Sequence, residues 1–173
     1  MSFEHKGTTS SSIGSLKLAV TGKRLRTSRL KPRCPPLDIV LMGAHWSDHA
    51  AAGTPTQAEI EFVRKAYKEC TAYISICGGM MVPLHAGLLD GKTCTAPRLL
   101  LDAMKKDYPS VDWVERRYVK DKDGKIWTSG TLLNGLDLMR AFVHETWGGA
   151  GTLAEQLLYD GAWPVRDAEY KDV

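Results

Sequence analysis

The chain has 173 residues, 43% of them hydrophobic, and a net charge of +3, which is the size and apolar content of one ordinary α/β domain with a real core. It holds no apolar run of about 18 residues and opens on no apolar leader, which reads against a membrane span and a secretory signal. Four cysteines, Cys34, Cys70, Cys77 and Cys94, form no CxxC pair, so the pattern reads against zinc and predicts free thiols in a reducing compartment, without metal or cofactor.

The charge is unevenly spread. Residues 1–33 carry eight Lys/Arg against a single acid, Glu4, and residues 34–173 carry the opposite excess. Residues 1–15 are rich in Ser, Thr and Gly and have little to bury, so residues 1–36 read as a basic, partly disordered arm. Leu16 to Val20 reads as a short strand within it. Lys23 to Arg33 reads as a solvated connection, with a mitochondrial-type presequence and a nucleic-acid contact as the other readings. No aromatic residue interleaves these charges, so no nucleic-acid partner is expected.

Residues 37–173 read as one α/β domain. Leu37 to Met42 is an apolar run ended by Gly43, the pattern of a buried parallel strand. The next loop holds His45, Trp46, Asp48 and His49. A helix follows, with Thr54 as cap, Pro55 in its first turn and Gln57 closing a capping box. Ala58, Phe62 and Ala66 give its inner stripe, with Val63 and Tyr67 beside them. A second apolar strand ends at Cys77, and strand–helix–strand with short connections makes a parallel βαβ unit.

A helix is expected from Cys77 to His85, then a turn at Asp90-Gly91 and a short strand Thr93–Thr95. Pro97 opens a helix with Leu100, Leu101 and Met104 inward, ending before Pro109. Strands are expected from Trp113 to Val119 and at Ile126–Thr128, around the turn Lys122-Asp123-Gly124. Glu115, Arg116 and Arg117 read there as a solvated or dimer-edge charge ladder. Asn134 reads as the cap of a helix whose stripe is Leu136, Met139, Val143 and Trp147, and a last helix covers Thr152–Tyr159.

Tyr73-Ile74-Ser75-Ile76-Cys77-Gly78-Gly79-Met80 carries most of the chemistry. A β-branched strand stops at a cysteine, two glycines follow and a helical pattern starts, as in a strand-to-helix nucleophile elbow. Gly79 would relieve crowding, the Gly78 N–H could hold an oxyanion, and the helix start would favour thiolate at Cys77. The alternative is a buried structural cysteine before a glycine-rich turn.

Three ordered motifs then resemble the DJ-1/PfpI (ThiJ) superfamily, most of all its fungal branch. They are Ser75-Ile76-Cys77-Gly78-Gly79, Ala86-Gly87-Leu88-Leu89-Asp90-Gly91-Lys92, and Thr128-Ser129-Gly130 with Asn134-Gly135-Leu136-Asp137-Leu138. The resemblance spans about residues 37–170. It implies a flavodoxin-like α/β sandwich with a mostly parallel sheet, a dimer, and Cys77 as the family's reactive cysteine. It also implies a small electrophile as partner, handled as in isocyanide hydratases or glyoxalase-like members.

Three features of the family pattern differ. Active members carry an acid near the chain start, beside the sulfur, whereas Glu4 is the only acid in residues 1–33 and the chain begins after the family's first strand, helix and second strand. Pro97 stands where many members carry a histidine, and Gly78 where hydratase-like relatives often carry Thr. An open sheet edge is therefore expected unless residues 16–22, or a partner chain, cover it.

His45 and His49 follow a strand next to that of Cys77 and could replace the missing side chains, the alternative being exposed loop histidines. His85 lies about 12 Å along the helix from Cys77, too far for contact. His144 and Arg98 read as surface, Cys94 as structural, and Trp113 and Trp127 as core or dimer aromatics. Two functions follow. One is cysteine-dependent addition to a small electrophile by a cytoplasmic homodimer, with mitochondria as the other location. The second is a non-catalytic, redox-sensing or chaperone-like protein with an impaired site.

Overall fold

The computed structural model describes residues 12–13, 16–21, 37–44 and 54–171, with side chains from residue 37 onward. Six strands form the main sheet in the order β1-β2-β3-β4-β8-β7: β1 Ser12–Ile13, β2 Leu16–Thr21, β3 Ile39–Met42, β4 Ala72–Ser75, β7 Tyr118–Lys120 and β8 Ile126–Ser129. β2, β3, β4 and β8 run parallel, while β1 and β7 are antiparallel to their neighbours. The edge beside β3 is therefore covered by β2 of the same chain, at Leu18↔Ile39 to Thr21↔Met42. β5 Thr93–Cys94 and β6 Asp112–Trp113 pair separately, in parallel. Residues 114–117 are not a strand, so the expected Trp113–Val119 run is broken in two.

Alternation along the strands sends residues to two cores. Val40, Met42 and Tyr73 meet Val63, Ala66 and Val82 on one face, from α1 Gln57–Glu69 and α2 Met81–His85. Ile126 lies on that side too, with Leu101 and Met104 of α3 Arg98–Asp107. Ile39, Ile74 and Trp127 face Leu138 and Phe142 of α4 Asn134–Trp147 on the other. The result is a three-layer sandwich, with α5 Leu153–Asp160 packed on α4. Among the described residues no helix is long and apolar enough to cross a membrane.

Helix termini and stripes differ from the sequence reading in detail. The cap of α1 is Thr56 rather than Thr54: its hydroxyl accepts from the Glu59 N–H, and the Glu59 carboxylate accepts from the Thr56 N–H at 2.7 Å. Thr54-x-x-Gln57 and Thr56-x-x-Glu59 both fit the pattern. The ionised carboxylate is the stronger acceptor at the positive end of a helix. Val63 and Ala66, not Phe62, centre the buried stripe of α1. In α3, Leu101 and Met104 are buried while Leu100 is exposed.

Asn134 does not cap α4 in the usual way. Its Oδ1 accepts from the Thr131 N–H and hydroxyl, both at 3.0 Å, closing the turn before the helix. The inner stripe of α4 is Leu138 and Phe142, while Leu136 and Trp147 lie on the exposed side. Asp137 takes an inward position because Arg166 meets it in a fork, with two bonds of 2.8 Å.

Glu115 and Arg116 of the expected charge ladder are exposed, in line with the solvated reading, whereas Arg117 is not. Arg117 is buried at 2% exposure. Its N–H donates to the Ala168 carbonyl, and its guanidinium donates to the Asp167 and Glu169 carbonyls at 3.0 and 2.5 Å. Glu115 pairs with Arg98, and Arg116 with Glu169.

Candidate functional site

The carboxyl ends of β3, β4 and β8 meet at Cys77. β4 is buried along its whole length, and the chain leaves it through Ile76, whose N–H donates to the Met42 carbonyl at 2.9 Å. Cys77 then takes φ 55°, the left-handed region that side chains with a Cβ avoid. A 3₁₀ turn Cys77–Met80 begins at once and runs into α2. The Gly79 N–H closes back on the Ile76 carbonyl at 2.9 Å. Strand, strained cysteine and immediate helix make the elbow that the sequence predicts.

The two glycines after Cys77 have different reasons. A Cβ on Gly79 would stand 2.2 Å from the Met42 oxygen and 2.9 Å from the Gly43 oxygen, so the β3 backbone passes where a side chain would be. Among the described residues a Cβ on Gly78 would meet only Ala44, its Cβ at 3.5 Å and its Cα at 3.9 Å, ordinary contacts. Gly78→Thr is thus expected to fold with a melting temperature within a few degrees of wild type, as measured by thermal denaturation.

Cys77 is partly exposed, whereas Cys70 and Cys94 are buried. Burial raises the Cys70 thiol above its ordinary value, and burial with help from Asp121 pushes Cys94 up to about 12. Neither supplies thiolate near neutral pH, so Cys94 is structural, as the sequence suggested. The Gly78 N–H has no backbone acceptor among the described residues. It is one of the orphan donors that open any helical turn.

α4 begins against the elbow. A Cβ on Gly135 would come within 2.8 Å of Ile76 Cγ2, so the start of the helix lies directly on the residue before Cys77. On the other side of β4, the register Ser75↔Thr128 carries β8 up to Gly130. A Cβ on Gly130 would stand 2.9 Å from Asn134 Oδ1 and 3.0 Å from the Tyr170 hydroxyl. Tyr170 does not stand out in the sequence, because no local pattern ties residue 170 to residue 130.

The other candidate residues fall as follows. His45 and His49 lie outside the described residues, as do Glu4 and Cys34. His85 is exposed and stands edge-on to Tyr108 at 6.1 Å. His144 is exposed and paired with Glu155. Pro97 is the residue before α3. Trp113 and Trp127 are buried core aromatics.

The sequence profile of the DJ-1/PfpI family matches residues 38–145. The chain belongs to the DJ-1/PfpI family. It is 25% identical over 130 residues to the isonitrile hydratase of Pseudomonas putida, covering 74% of this chain and 54% of that protein, so it spans about half the length of that curated relative. The fold is similar to a ThiJ/PfpI family protein of Pseudomonas syringae, with TM-score 0.60 and 19% identity over 82% of this chain and 56% of that one. A DJ-1 superfamily protein of Salmonella typhimurium, solved as a cysteine-to-alanine mutant, gives 0.58 at 18% over 75% and 66%. Drosophila melanogaster DJ-1beta gives 0.56 at 16% over 75% and 66%. These neighbours share the mostly parallel flavodoxin-like sandwich.

Proposed function

We propose that this DJ-1/PfpI chain is an enzyme in which Cys77 adds to a small electrophile, with an isocyanide as first candidate and an α-oxoaldehyde as second. The observation that carries the reading is Cys77 itself: a partly exposed cysteine held at φ 55° where three parallel strands end. Left-handed backbone at a residue with a Cβ costs about 1–3 kcal/mol, and such strain gathers at sites where it presents a reacting group. The match to an isonitrile hydratase supports the isocyanide.

In the proposed reaction the thiol loses its proton to a base and the sulfur bonds the isocyanide carbon. That carbon gains a proton to give a thioimidate. Water then adds its oxygen to the carbon while the nitrogen is protonated. The carbon–sulfur bond breaks as the carbonyl forms, releasing an N-substituted formamide and restoring the thiol. The Gly78 N–H is the proposed donor to the developing oxygen anion, and His45 or His49 the proposed base. An α-oxoaldehyde would add at its aldehyde carbon, its oxygen meeting the same donor.

The domain is proposed to be residues 37–173, with a basic arm of residues 1–36 whose strands β1 and β2 join its sheet, and to work as a homodimer in the cytoplasm. The free thiols Cys70, Cys77 and Cys94 support the compartment, and the exposed Leu99, Leu132 and Leu133 are apolar surface that a second subunit could bury. The direct test is turnover of an alkyl isocyanide and of methylglyoxal by wild type and Cys77→Ala. Loss of turnover in the variant is expected. Equal turnover in the two proteins would refute the reading and leave the redox-sensing or binding role as the alternative.

A further inference from the structure

The C-terminal segment returns to the carboxyl edge of the sheet and is fixed there more firmly than a tail needs. Three carbonyls in a row, Asp167, Ala168 and Glu169, accept from buried Arg117. Arg166 forks onto Asp137, whose side chain is fully buried. The Tyr170 ring lies under two guanidinium groups, Arg98 at 4.9 Å and Arg117 at 4.8 Å. These contacts deliver one polar atom: the Tyr170 hydroxyl, which donates to Asn134 Oδ1 at 2.9 Å.

That hydroxyl sits where the elbow's neighbours converge. With Asn134 Oδ1, it is one of the two groups that a Cβ on Gly130 would strike, at 3.0 Å. Gly130 stands two residues past the pair Ser75↔Thr128, as Cys77 does on the adjoining strand. β8 packs against the turn Cys77–Met80, so the chain leaving β8 at Gly130 runs beside the elbow at the carboxyl edge. The second route is through packing. Asn134 precedes Gly135, and Gly135 abuts Ile76, the residue before Cys77. Burial raises the Tyr170 pKa above its ordinary value, against the pull of Arg117 and Arg98, so the phenol holds its proton near neutrality.

We infer that the Tyr170 hydroxyl is a proton-transfer group of the Cys77 site, brought to it by the C-terminal segment. The inference rests on the reading of Cys77 as the nucleophile. As the sulfur–carbon bond forms, the phenol gives its proton to the isocyanide carbon. The phenolate then takes a proton from the attacking water, and the nitrogen receives the proton that the base removed from the thiol. On collapse the carbon–sulfur bond breaks and the hydroxyl proton passes to the departing sulfur, so thiol, base and phenol all end in their starting states.

The test uses the full chain with an alkyl isocyanide, comparing wild type, Tyr170→Phe, Thr131→Val and Cys77→Ala. Phenylalanine keeps the ring under both guanidinium groups and removes only the hydroxyl. Tyr170→Phe is expected to lower kcat about 100-fold or more, the range for a lost acid–base group, with KM within about threefold and melting within a few degrees of wild type. Thr131→Val removes a hydrogen bond from the same Asn134 oxygen and leaves the phenol in place, so its kcat should stay within about threefold. If Tyr170→Phe turns over like wild type while Cys77→Ala is inactive, Tyr170 only holds the tail and the inference is wrong. Equal losses in Tyr170→Phe and Thr131→Val would also overturn it, since a loosened turn would explain both. Failure of the underlying reading looks different: Cys77→Ala matches wild type, or wild type has no turnover, and the assignment of Tyr170 falls with it.

Discussion

Replacing Cys77 by glycine is expected to abolish turnover and to stabilise the chain at the same time. The residue sits at φ 55°, where a side chain with a Cβ costs roughly 1–2 kcal/mol relative to glycine. Relief of that strain, less the thiol's lost packing and glycine's greater unfolded-state entropy, leaves a gain of up to about 1 kcal/mol. For a chain of 173 residues that is a rise of a few degrees in melting temperature. Cys77→Ala keeps the Cβ and the strain, so it should lose turnover without the rise. Thermal melts of the two variants beside an isocyanide assay check both halves. A glycine variant less stable than the alanine variant would mean that the backbone strain is not the cost it is taken to be.

Gly79→Ala should have the largest effect on folding. The added methyl would lie 2.2 Å from the Met42 oxygen and 2.8 Å from the Met42 carbon, both backbone atoms of a strand buried between β2 and β4. No rotamer relieves a Cβ clash, so either β3 or the elbow must move. Moving β3 strains its pairing on both sides, and moving the elbow breaks the bond from Ile76 to Met42. The expected cost is about 3 kcal/mol or more, at the upper end of overpacking, read as insoluble protein or a melting point lower by ten degrees or so. Gly78→Thr, one residue away, is the matched control. Equal behaviour of the two variants would mean that the elbow is looser than its geometry implies.

Those two residues also show what could be read in the sequence. A strand followed by a cysteine, two glycines and a helix is a local pattern, and its physics is local. The parallel strands were legible for the same reason, since Leu37–Met42 and Ala72–Ile76 are apolar on both faces. What escaped depends on partners far along the chain. Arg117 reads as a surface charge, yet its acceptors are carbonyls 50 and 52 residues downstream. Asp137 is an acid within a helix, and only Arg166 explains its burial. The stripe of α4 departs from the hydrophobic pattern because Asp137 and Gly135 take inward places that hydrophobicity alone would not give them. The hydroxyl of Tyr170 belongs to the same group: the residue reaches Gly130 and Asn134 only through the folded tail.

The account stands on the thiol of Cys77. The most direct measurement is a time course of iodoacetamide alkylation at neutral pH, with each cysteine followed by peptide mass and isocyanide turnover assayed on the same samples. Cys77 should be modified at least tenfold faster than buried Cys70 and Cys94, saturating isocyanide should slow that modification, and activity should fall in step with it. Full modification of Cys77 with turnover intact would contradict the central claim.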